Sequence, residues 1–259
     1  IEVSAGILGS IGSIVAAWNR IKNNKDYIKP DSNLSYADNF MHMLDDSIEV
    51  TPLISRIIDA TLILHAEHTI NASTFTSMVT SSTLASPTQV IASAIGSLSG
   101  PLHGGANQKV ILMLEEMGSK DNARAWLEER LSRKQVVWGM GHREYSTKDP
   151  RANILTEMVK DLFKEQSGKV SDMFEKAMEL EKACEEKLAK KGVYANVDFY
   201  SGILYKEIGI PVDLFTPIFA ISRTSGWLAH WIEQVSNNKI FRPTQIYTGH
   251  DNRKYNSKG

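Results

Sequence analysis

SDMFEKAMELEKACEEKLAK, residues 171–190, shows the pattern that runs through most of this chain. Its apolar side chains recur at helical spacing, so they share one face of a helix while Lys and Glu occupy the rest of the surface. The apolar positions are Met173, Phe174, Ala177, Leu180 and Leu188. The stretch therefore predicts a long amphipathic helix with one buried face.

Similar patterns predict helices elsewhere in the chain. Residues 214–235 fit a second long helix. Ser86-Pro87 and Asp149-Pro150 each place a capping residue before a proline, which is typical of a helix start. Strand signals are few, and the best is QVVW at residues 135–138. We expect an all-α fold with at most a trace of sheet.

The overall composition excludes several classes of protein. Of 259 residues, 42% are hydrophobic and 23% are charged, which is typical of a globular chain. Lysine and arginine total 29 against 30 acidic residues, so the net charge of −1 gives no electrostatic case for nucleic acid or a membrane surface. The single cysteine, Cys184, excludes an internal disulfide. No segment has the run of apolar residues that a membrane span needs, and we expect a cytoplasmic location.

A change in composition along the chain indicates two domains. Residues 104–191 are dense in Lys and Glu, whereas residues 1–100 and 215–243 are more apolar and rich in Gly, Ser and Ala. We expect a large helical domain formed by residues 1–102 and 215–259, interrupted by a small domain at residues 103–214. Ligands commonly bind in the cleft between two such domains.

GPLHGGAN, residues 100–107, is the first segment that indicates chemistry. Glycines flank His103, and a helical pattern follows it. The positive potential of a helix N-terminus would lower the pKa of the imidazole and keep it neutral, and a neutral ring can still donate a hydrogen bond to an oxyanion. The alternative is a helix-capping loop in which the histidine is incidental.

GMGHREYSTKDPR, residues 139–151, is the second such segment. Its two glycines resemble a loop that wraps a ligand, and His142 and Arg151 are placed to share one anionic substrate. An arginine offers a two-pronged fork to a carboxylate. The alternative is a turn with solvated charges.

ANVDFYSG, residues 195–202, places Asp198 among apolar and aromatic neighbours. Desolvation there would raise the pKa of the carboxyl group toward that of a useful general base. On this segment alone, the favoured interpretation is an N-cap aspartate that opens a helix over residues 199–207.

Two further groups of residues are weaker signals. His65 and His68, in HAEH, have the spacing of a metal pair on a helix, but the sequence offers no third ligand nearby, so we predict no metal site. Arg223 and Arg242 stand beside small or rigid residues, which is not evidence of a site by itself.

Taken together, these segments resemble the citrate synthase family, and in particular its shorter prokaryotic branch. The resemblance covers the whole chain and is carried, in order, by HAEHTINASTF, GPLHGGAN, GMGHREYSTKDPRA, NVDFYSGILY, FTPIFAISRTSGWLAHW and FRPTQIYTG. It implies a two-domain helical fold with the active site in the cleft, a homodimer, and a further segment before Ile1.

The resemblance also implies an activity. Members of the family condense acetyl-CoA with oxaloacetate and hydrolyse citryl-CoA to citrate and CoA, a step of the tricarboxylic acid cycle that needs no metal or other cofactor. A thioester methyl group is a very weak acid, so its carbonyl must be polarised while a carboxylate removes the proton.

Roles for individual residues follow from the resemblance. It implies that Asp198 is the base, that His103 stabilises the enolate, and that His142 binds and helps to protonate the oxaloacetate carbonyl. The other oxaloacetate ligands that it implies are His68, Arg151, Arg223 and, from the partner subunit, Arg242. On the acetyl and CoA side it implies Val137, Trp138, Gly139, Met140, Gly141, Asn196 and Phe219.

Three other functions stay open. A 2-methylcitrate synthase, which uses propionyl-CoA, would share the catalytic residues, and one extra methylene is worth only about 1–3 kcal/mol in an apolar pocket. A non-catalytic helical scaffold is a second alternative, against which the presence of His103, His142 and Asp198 argues. A metal-dependent hydrolase built on His65 and His68 is the remotest.

Overall fold

The computed structural model describes residues 2–166 and 168–255, and within them it forms helices joined by loops and turns. The α-helices are α1 Glu2–Lys22, α2 Tyr36–Leu44, α3 Pro52–Ala66, α4 Ala72–Ser82, α5 Pro87–Leu98, α6 Ala106–Met117, α7 Ala123–Ser132, α8 Pro150–Gln166, α9 Asp172–Leu188, α10 Val197–Glu207 and α11 Phe215–Ser236. The all-α prediction is confirmed. Among the helices in these two ranges, none is long and apolar enough to cross a membrane.

Residues 135–138, the best strand signal in the sequence, form no strand. A turn covers residues 138–139, and Gly139 and Gly141 have φ angles of +77° and +86°, outside the range of a strand. Pairing is limited to one isolated antiparallel bridge between Met140 and Ala195 in the described part of the chain. Val136 and Val137 therefore lead into a bent loop. No described segment pairs with them to form a β-ladder.

Side-chain caps explain where several helices begin. The Phe174 N–H of α9 donates to Ser171 Oγ at 3.1 Å, and the Arg151 N–H of α8 donates to Asp149 Oδ1 at 2.9 Å. At the start of α5, the Ser86 N–H donates to Gln89 Oε1 at 3.1 Å, the reciprocal bond of a capping box. Both cap-and-proline pairs in the sequence thus open helices as predicted.

The apolar stripe of α9 is buried as its spacing predicts. Phe174, Ala177, Leu180 and Leu188 lie in the main apolar core, and Met173 packs against it. The ring of Phe174 lies 5.6 Å from that of Phe163 on α8 and 6.0 Å from that of Tyr200 on α10. Helix α9 is thus fixed against the two helices that flank the candidate site.

Two long helices organise the packing. Helix α11 contacts α1, α3, α4 and α5, whereas α10 contacts α6, α8 and α9. A second apolar cluster joins α5 to α11 through Ile91, Ala94, Leu98, Trp227 and Leu228, among others. The assignment of these helices to a large and a small domain stays a prediction.

Candidate active site

One pocket collects most of the residues singled out from the sequence. They come from the loop after α3, the turn before α6, the loop before α8, the first turn of α8, the start of α10, and α11. The predicted residues that line it are His68, His103, His142, Arg151, Asn196, Asp198, Phe219 and Arg223. Residues far apart in sequence thus meet at one concave surface.

Asp198 lies in the first turn of α10 and faces this pocket. The helix begins at Val197, and the Asp198 N–H donates to Asn196 Oδ1 at 3.0 Å, so Asn196 is the N-cap. The interpretation of Asp198 itself as the cap is therefore wrong. Because Asn196 caps the helix, the Asp198 carboxylate is left available to the pocket.

The surroundings of Asp198 favour its protonated form. Burial raises the pKa of its carboxyl group to about 6, with Asp149 adding to the rise and Arg151 and Arg223 opposing it. In residues 2–166 and 168–255, no side chain donates a hydrogen bond to this carboxylate. A carboxyl group with a pKa near neutrality can accept a proton and release it again in one reaction cycle.

His103 occupies a turn just before α6, with its Nε2 atom held by Ser73. The Ser73 N–H donates to Nε2 at 3.3 Å, and the Ser73 hydroxyl lies 2.7 Å from the same atom. Nε2 is therefore an acceptor, and the neutral ring carries its proton on Nδ1. The pKa of His103 is lowered as predicted, but the cause is burial, followed by the charge of Arg223.

Ser73 is itself fixed by neighbours that the sequence does not reveal. Trp227 Nε1 donates to Ser73 Oγ at 3.2 Å, and Ser73 Oγ lies 2.9 Å from Asn71 Oδ1. Ser73 and Trp227 are both buried. A serine in an ordinary helical pattern carries no signal of such a role in a single sequence.

His142 and His68 form a second pair of imidazoles in the pocket. The Glu144 N–H donates to His142 Nδ1 at 3.0 Å, so the neutral ring carries its proton on Nε2. His68 Nε2 lies 3.0 Å from the hydroxyl of Tyr145, and the ring centroids of His68 and His142 are 4.8 Å apart. Burial, followed by the charge of Arg151, lowers the pKa of both rings. Tyr145 is not predicted from the sequence.

Arg151 is oriented by the buried Asp149. Arg151 Nε donates to Asp149 Oδ1 at 3.0 Å, and Nη2 donates to Oδ2 at 2.7 Å. The Val197 N–H donates to Asp149 Oδ2 at 3.3 Å, so one carboxylate holds both the arginine and the start of α10. Burial alone would raise the pKa of Asp149, but the bonds and charge of Arg151 lower it overall.

Arg223 supplies a second buried cation from α11. Its Nε atom donates to the His65 carbonyl oxygen at 2.7 Å, and its guanidinium lies 4.9 Å from the centroid of Phe219. Burial lowers its pKa to about 10, so the side chain stays charged at neutral pH. Arg151 and Arg223 therefore give the pocket two positive charges, which suits a dicarboxylate.

The pair His65 and His68 does not have the geometry of a metal site on a helix. His65 Nδ1 donates to the Thr61 carbonyl oxygen at 2.8 Å, and burial lowers its pKa to about 4. Helix α3 ends at Ala66, so His68 lies beyond it. Across the described part of the chain, no group of three His, Cys, Asp or Glu side chains is arranged to hold a metal ion.

The loop expected to contact CoA is bonded to the segment that precedes Asp198. The Gly141 N–H donates to Tyr194 O at 2.7 Å, and the Asn196 N–H donates to Gly139 O at 2.9 Å. A Cβ atom on Gly139 would lie 2.9 Å from Phe199 Cα, so only glycine permits this approach. These bonds fix the spacing between the His142 loop and α10.

Several predicted residues lie outside the pocket. Val137 is buried in the main apolar core, and Trp138 and Met140 pack against that core. Gly141 lines a neighbouring cleft that shares His68, His103 and His142 with the pocket. Arg242 is exposed in the irregular stretch after α11. Their roles toward CoA and a partner subunit stay predictions.

Comparison with known proteins shows the family. Residues 2–244 match the family model described as the C-terminal domain of citrate synthase. The chain is 52% identical to citrate synthases of Acidithiobacillus ferridurans and Synechocystis; each match covers 96% of this chain, and 64% and 62% of the respective relatives. The chain belongs to the citrate synthase family and spans less than two thirds of the length of these relatives.

Solved structures agree with this assignment. A citrate synthase from Thermoplasma acidophilum, in a ternary complex with carboxymethyl coenzyme A and oxaloacetate, is 33% identical and superposes with a TM-score of 0.91. The match covers 98% of this chain and 67% of that one. The citrate synthase of Pyrobaculum aerophilum is 38% identical with a TM-score of 0.90, over 98% of this chain and 62% of that one. The predicted fold is confirmed.

Proposed function

We propose that the protein condenses acetyl-CoA with oxaloacetate and hydrolyses the product to citrate and CoA. One observation supports this most strongly: a carboxyl group with a pKa of about 6 shares a pocket with a neutral imidazole and two arginines. The names of the relatives, and the two ligands of the Thermoplasma complex, agree with the same reaction.

In the first step, Asp198 accepts a proton from the acetyl methyl group. His103 donates Nδ1–H to the thioester oxygen as negative charge develops there, and its bonds to Ser73 leave that proton free. Because the ring is neutral, it can donate this hydrogen bond without transferring its proton outright.

In the second step, the enolate carbon bonds to the carbonyl carbon of oxaloacetate. His142 Nε2–H donates a hydrogen bond to the carbonyl oxygen and helps to protonate it as the new bond forms. The proton that Asp198 took from the methyl group balances this uptake, so both groups return to their starting states. Arg151, Arg223 and His68 hold the two carboxylates. Water then cleaves the thioester of citryl-CoA, so acetyl-CoA, oxaloacetate and water give citrate and CoA. Enclosure of the cleft between two domains would keep water out until the new bond has formed.

One assay tests both the reaction and the preference for the acyl group. Release of CoA thiol is measured with acetyl-CoA and with propionyl-CoA, each with and without oxaloacetate. Oxaloacetate-dependent release from acetyl-CoA supports the proposal, and faster release from propionyl-CoA would make 2-methylcitrate the product. No release from either thioester would favour a scaffold, and loss of activity in excess chelator would favour a metal enzyme.

We further propose that two copies form a dimer and that Arg242 completes the partner's site. The described stretch after α11 forms neither helix nor strand, and near its start the Phe241 N–H donates to Ser82 Oγ at 3.1 Å. Farther along, Ile246 is 91% exposed, which suits an arm that packs on another subunit. On α1, Ile14 and Trp18 are also more than half exposed.

Mixing two inactive variants tests this shared site. Asp198→Asn and Arg242→Ala subunits should each be inactive alone, but a mixed dimer contains one intact site and should regain activity. Failure of the mixture to regain activity, with mixed dimers verified by mass, would contradict the shared site. We also propose, from the composition of the chain, that it folds into two domains and is cytoplasmic.

A further inference from the structure

A largely buried polar triad lies behind the candidate site and is not used by the proposed reaction. Tyr200 donates its hydroxyl to Glu181 Oε2 at 2.5 Å, and Lys148 Nζ forms an ion pair with Glu181 Oε1 at 2.7 Å. Lys148 Nζ also lies 5.5 Å from the centroid of the Tyr200 ring. Lys148, Glu181 and Tyr200 therefore form a closed set of mutual contacts.

Each member belongs to a different segment. Glu181 is on α9, Tyr200 is on α10 two residues after Asp198, and Lys148 is the residue directly before Asp149. Asp149 in turn bonds Arg151 and the Val197 N–H. The triad thus connects the helix that carries the base to the His142 loop and to the start of α8, which carries Arg151. Helix α9 is the common support.

Burying these polar groups costs folding free energy unless each one keeps its partner. Tyr200 is fully buried and Glu181 is 8% exposed, while the Lys148 side chain is 24% exposed. Desolvating an ion pair commonly offsets its attraction, so such a pair is weak evidence for stability. A charge pair at this depth is better explained by a requirement for one fixed arrangement of the segments that it joins.

We propose that Lys148, Glu181 and Tyr200 are positioning residues that fix Asp198 relative to His142 and Arg151, an inference that rests on the proposed function. None of them lines the pocket that holds these site residues. They act through Asp149 and through the first turn of α10, and they leave the chemistry to the groups already described.

The kinetics of single variants distinguish the contribution of Lys148 from that of Tyr200. Lys148→Met should raise KM for oxaloacetate and lower kcat/KM about 10- to 100-fold, because a displacement of about 1 Å can cost that much. Tyr200→Phe should lower kcat with a smaller change in KM, since Tyr200 shares a helix with the base. Lys148→Arg keeps the cation and should retain most of the activity.

Lys120→Met is the matched control. Lys120 also pairs with a glutamate of α9, Glu175, at 2.8 Å, but both side chains are more than a third exposed and the pair lies away from the pocket. Its removal should leave kcat and KM unchanged. A Lys148→Met, Glu181→Gln double variant should lose no more activity than the worse single variant, because both changes break the same bridge.

An NMR measurement on the substrate-free protein tests the positioning role without relying on the proposed reaction. The imidazole nitrogen NMR signals of His68 and His142 should shift in Lys148→Met and not in Lys120→Met, in the absence of substrate. If those signals and the kinetic constants match the wild type while only Tm falls, the triad merely stabilises the fold. If the wild type releases no CoA, the NMR comparison alone decides the matter.

Discussion

Two aspartates beside the same pocket behave in opposite ways. Asp149 and Asp198 both lie close to Arg151, and burial pushes the pKa of each upward. Asp149 nevertheless has a lowered pKa, whereas that of Asp198 is raised to about 6. The same two factors, burial and a nearby guanidinium, thus give a fixed charge in one case and a titratable group in the other.

The difference lies in hydrogen bonds. Asp149 accepts bonds from the side chain and backbone of Arg151 and from the Val197 N–H, and each favours the ionised form. Asp198 feels the charges of Arg151 and Arg223, but the described residues provide no donor to its carboxylate. Asp149 therefore suits a structural anion and Asp198 a general base, although the two residues share a neighbourhood.

The largest expected effect is on turnover in Asp198→Asn. The amide has a similar shape but cannot accept the methyl proton, so kcat should fall by about 10²- to 10⁴-fold, the usual value of general acid–base catalysis. Calorimetry should show that oxaloacetate binding is largely retained, because Arg151 and Arg223 remain. Unchanged turnover would contradict the assignment of Asp198 as the base.

Asp149→Asn should damage the fold rather than the chemistry. Removing the carboxylate leaves Arg151 without its partner in a buried setting, and breaking such a pair typically costs about 3–5 kcal/mol. The free energy of unfolding in urea should fall by that order, and the Kd for oxaloacetate should rise. A stability equal to that of the wild type would mean that solvent or another anion replaces the lost charge.

The pH dependence of stability should separate the two aspartates. Folding raises the pKa of Asp198 from its ordinary 3.8 to about 6, so the cost of ionising this carboxyl group destabilises the fold as the pH rises. Asp198→Asn should be more stable than the wild type at pH 7 by roughly 2 kcal/mol, allowing for partial exposure, since one pKa unit is worth about 1.4 kcal/mol.

The pH dependence of stability has the opposite sign for Asp149. Asp149 has a lowered pKa in the fold, so its contribution is present at neutral pH and is lost as the pH falls through that depressed value. The gain in Asp198→Asn should disappear below the unfolded pKa, at about pH 4. Because the contribution of Asp149 changes only below its unfolded pKa, urea unfolding is measured from about pH 2 to pH 8, which covers both trends. Parallel curves for the two variants would contradict the contrast.

The contrast also shows which features can be predicted from the sequence alone. Helical spacing predicts α9, and the Ser-Pro and Asp-Pro pairs predict two helix starts, because these signals are local. The desolvated environment of Asp198 is likewise predicted from its apolar neighbours. These properties depend on residues within a few positions of each other, which periodicity and capping rules describe well.

Contacts between distant segments cannot be predicted in the same way. The bond from the Val197 N–H to Asp149, the bond from the Ser73 N–H to His103, and the contact of Tyr145 with His68 each join segments far apart in the chain. The strand signal at residues 135–138 shows the same limit: its residues favour a strand locally, but whether a partner segment lies alongside is a tertiary property.

The smallest expected effect concerns the support of His103 by Ser73. Ser73→Ala removes the hydroxyl that lies 2.7 Å from His103 Nε2 but keeps the backbone N–H that donates to the same atom. The ring should keep its tautomer and lose part of its orientation, so kcat should fall by about tenfold, less than for loss of a direct donor to the oxyanion. Thr76→Ala, which removes an exposed hydroxyl on the same helix, is the control. A loss as large as that in Asp198→Asn would mean that the hydroxyl, and not the backbone, fixes the proton on Nδ1.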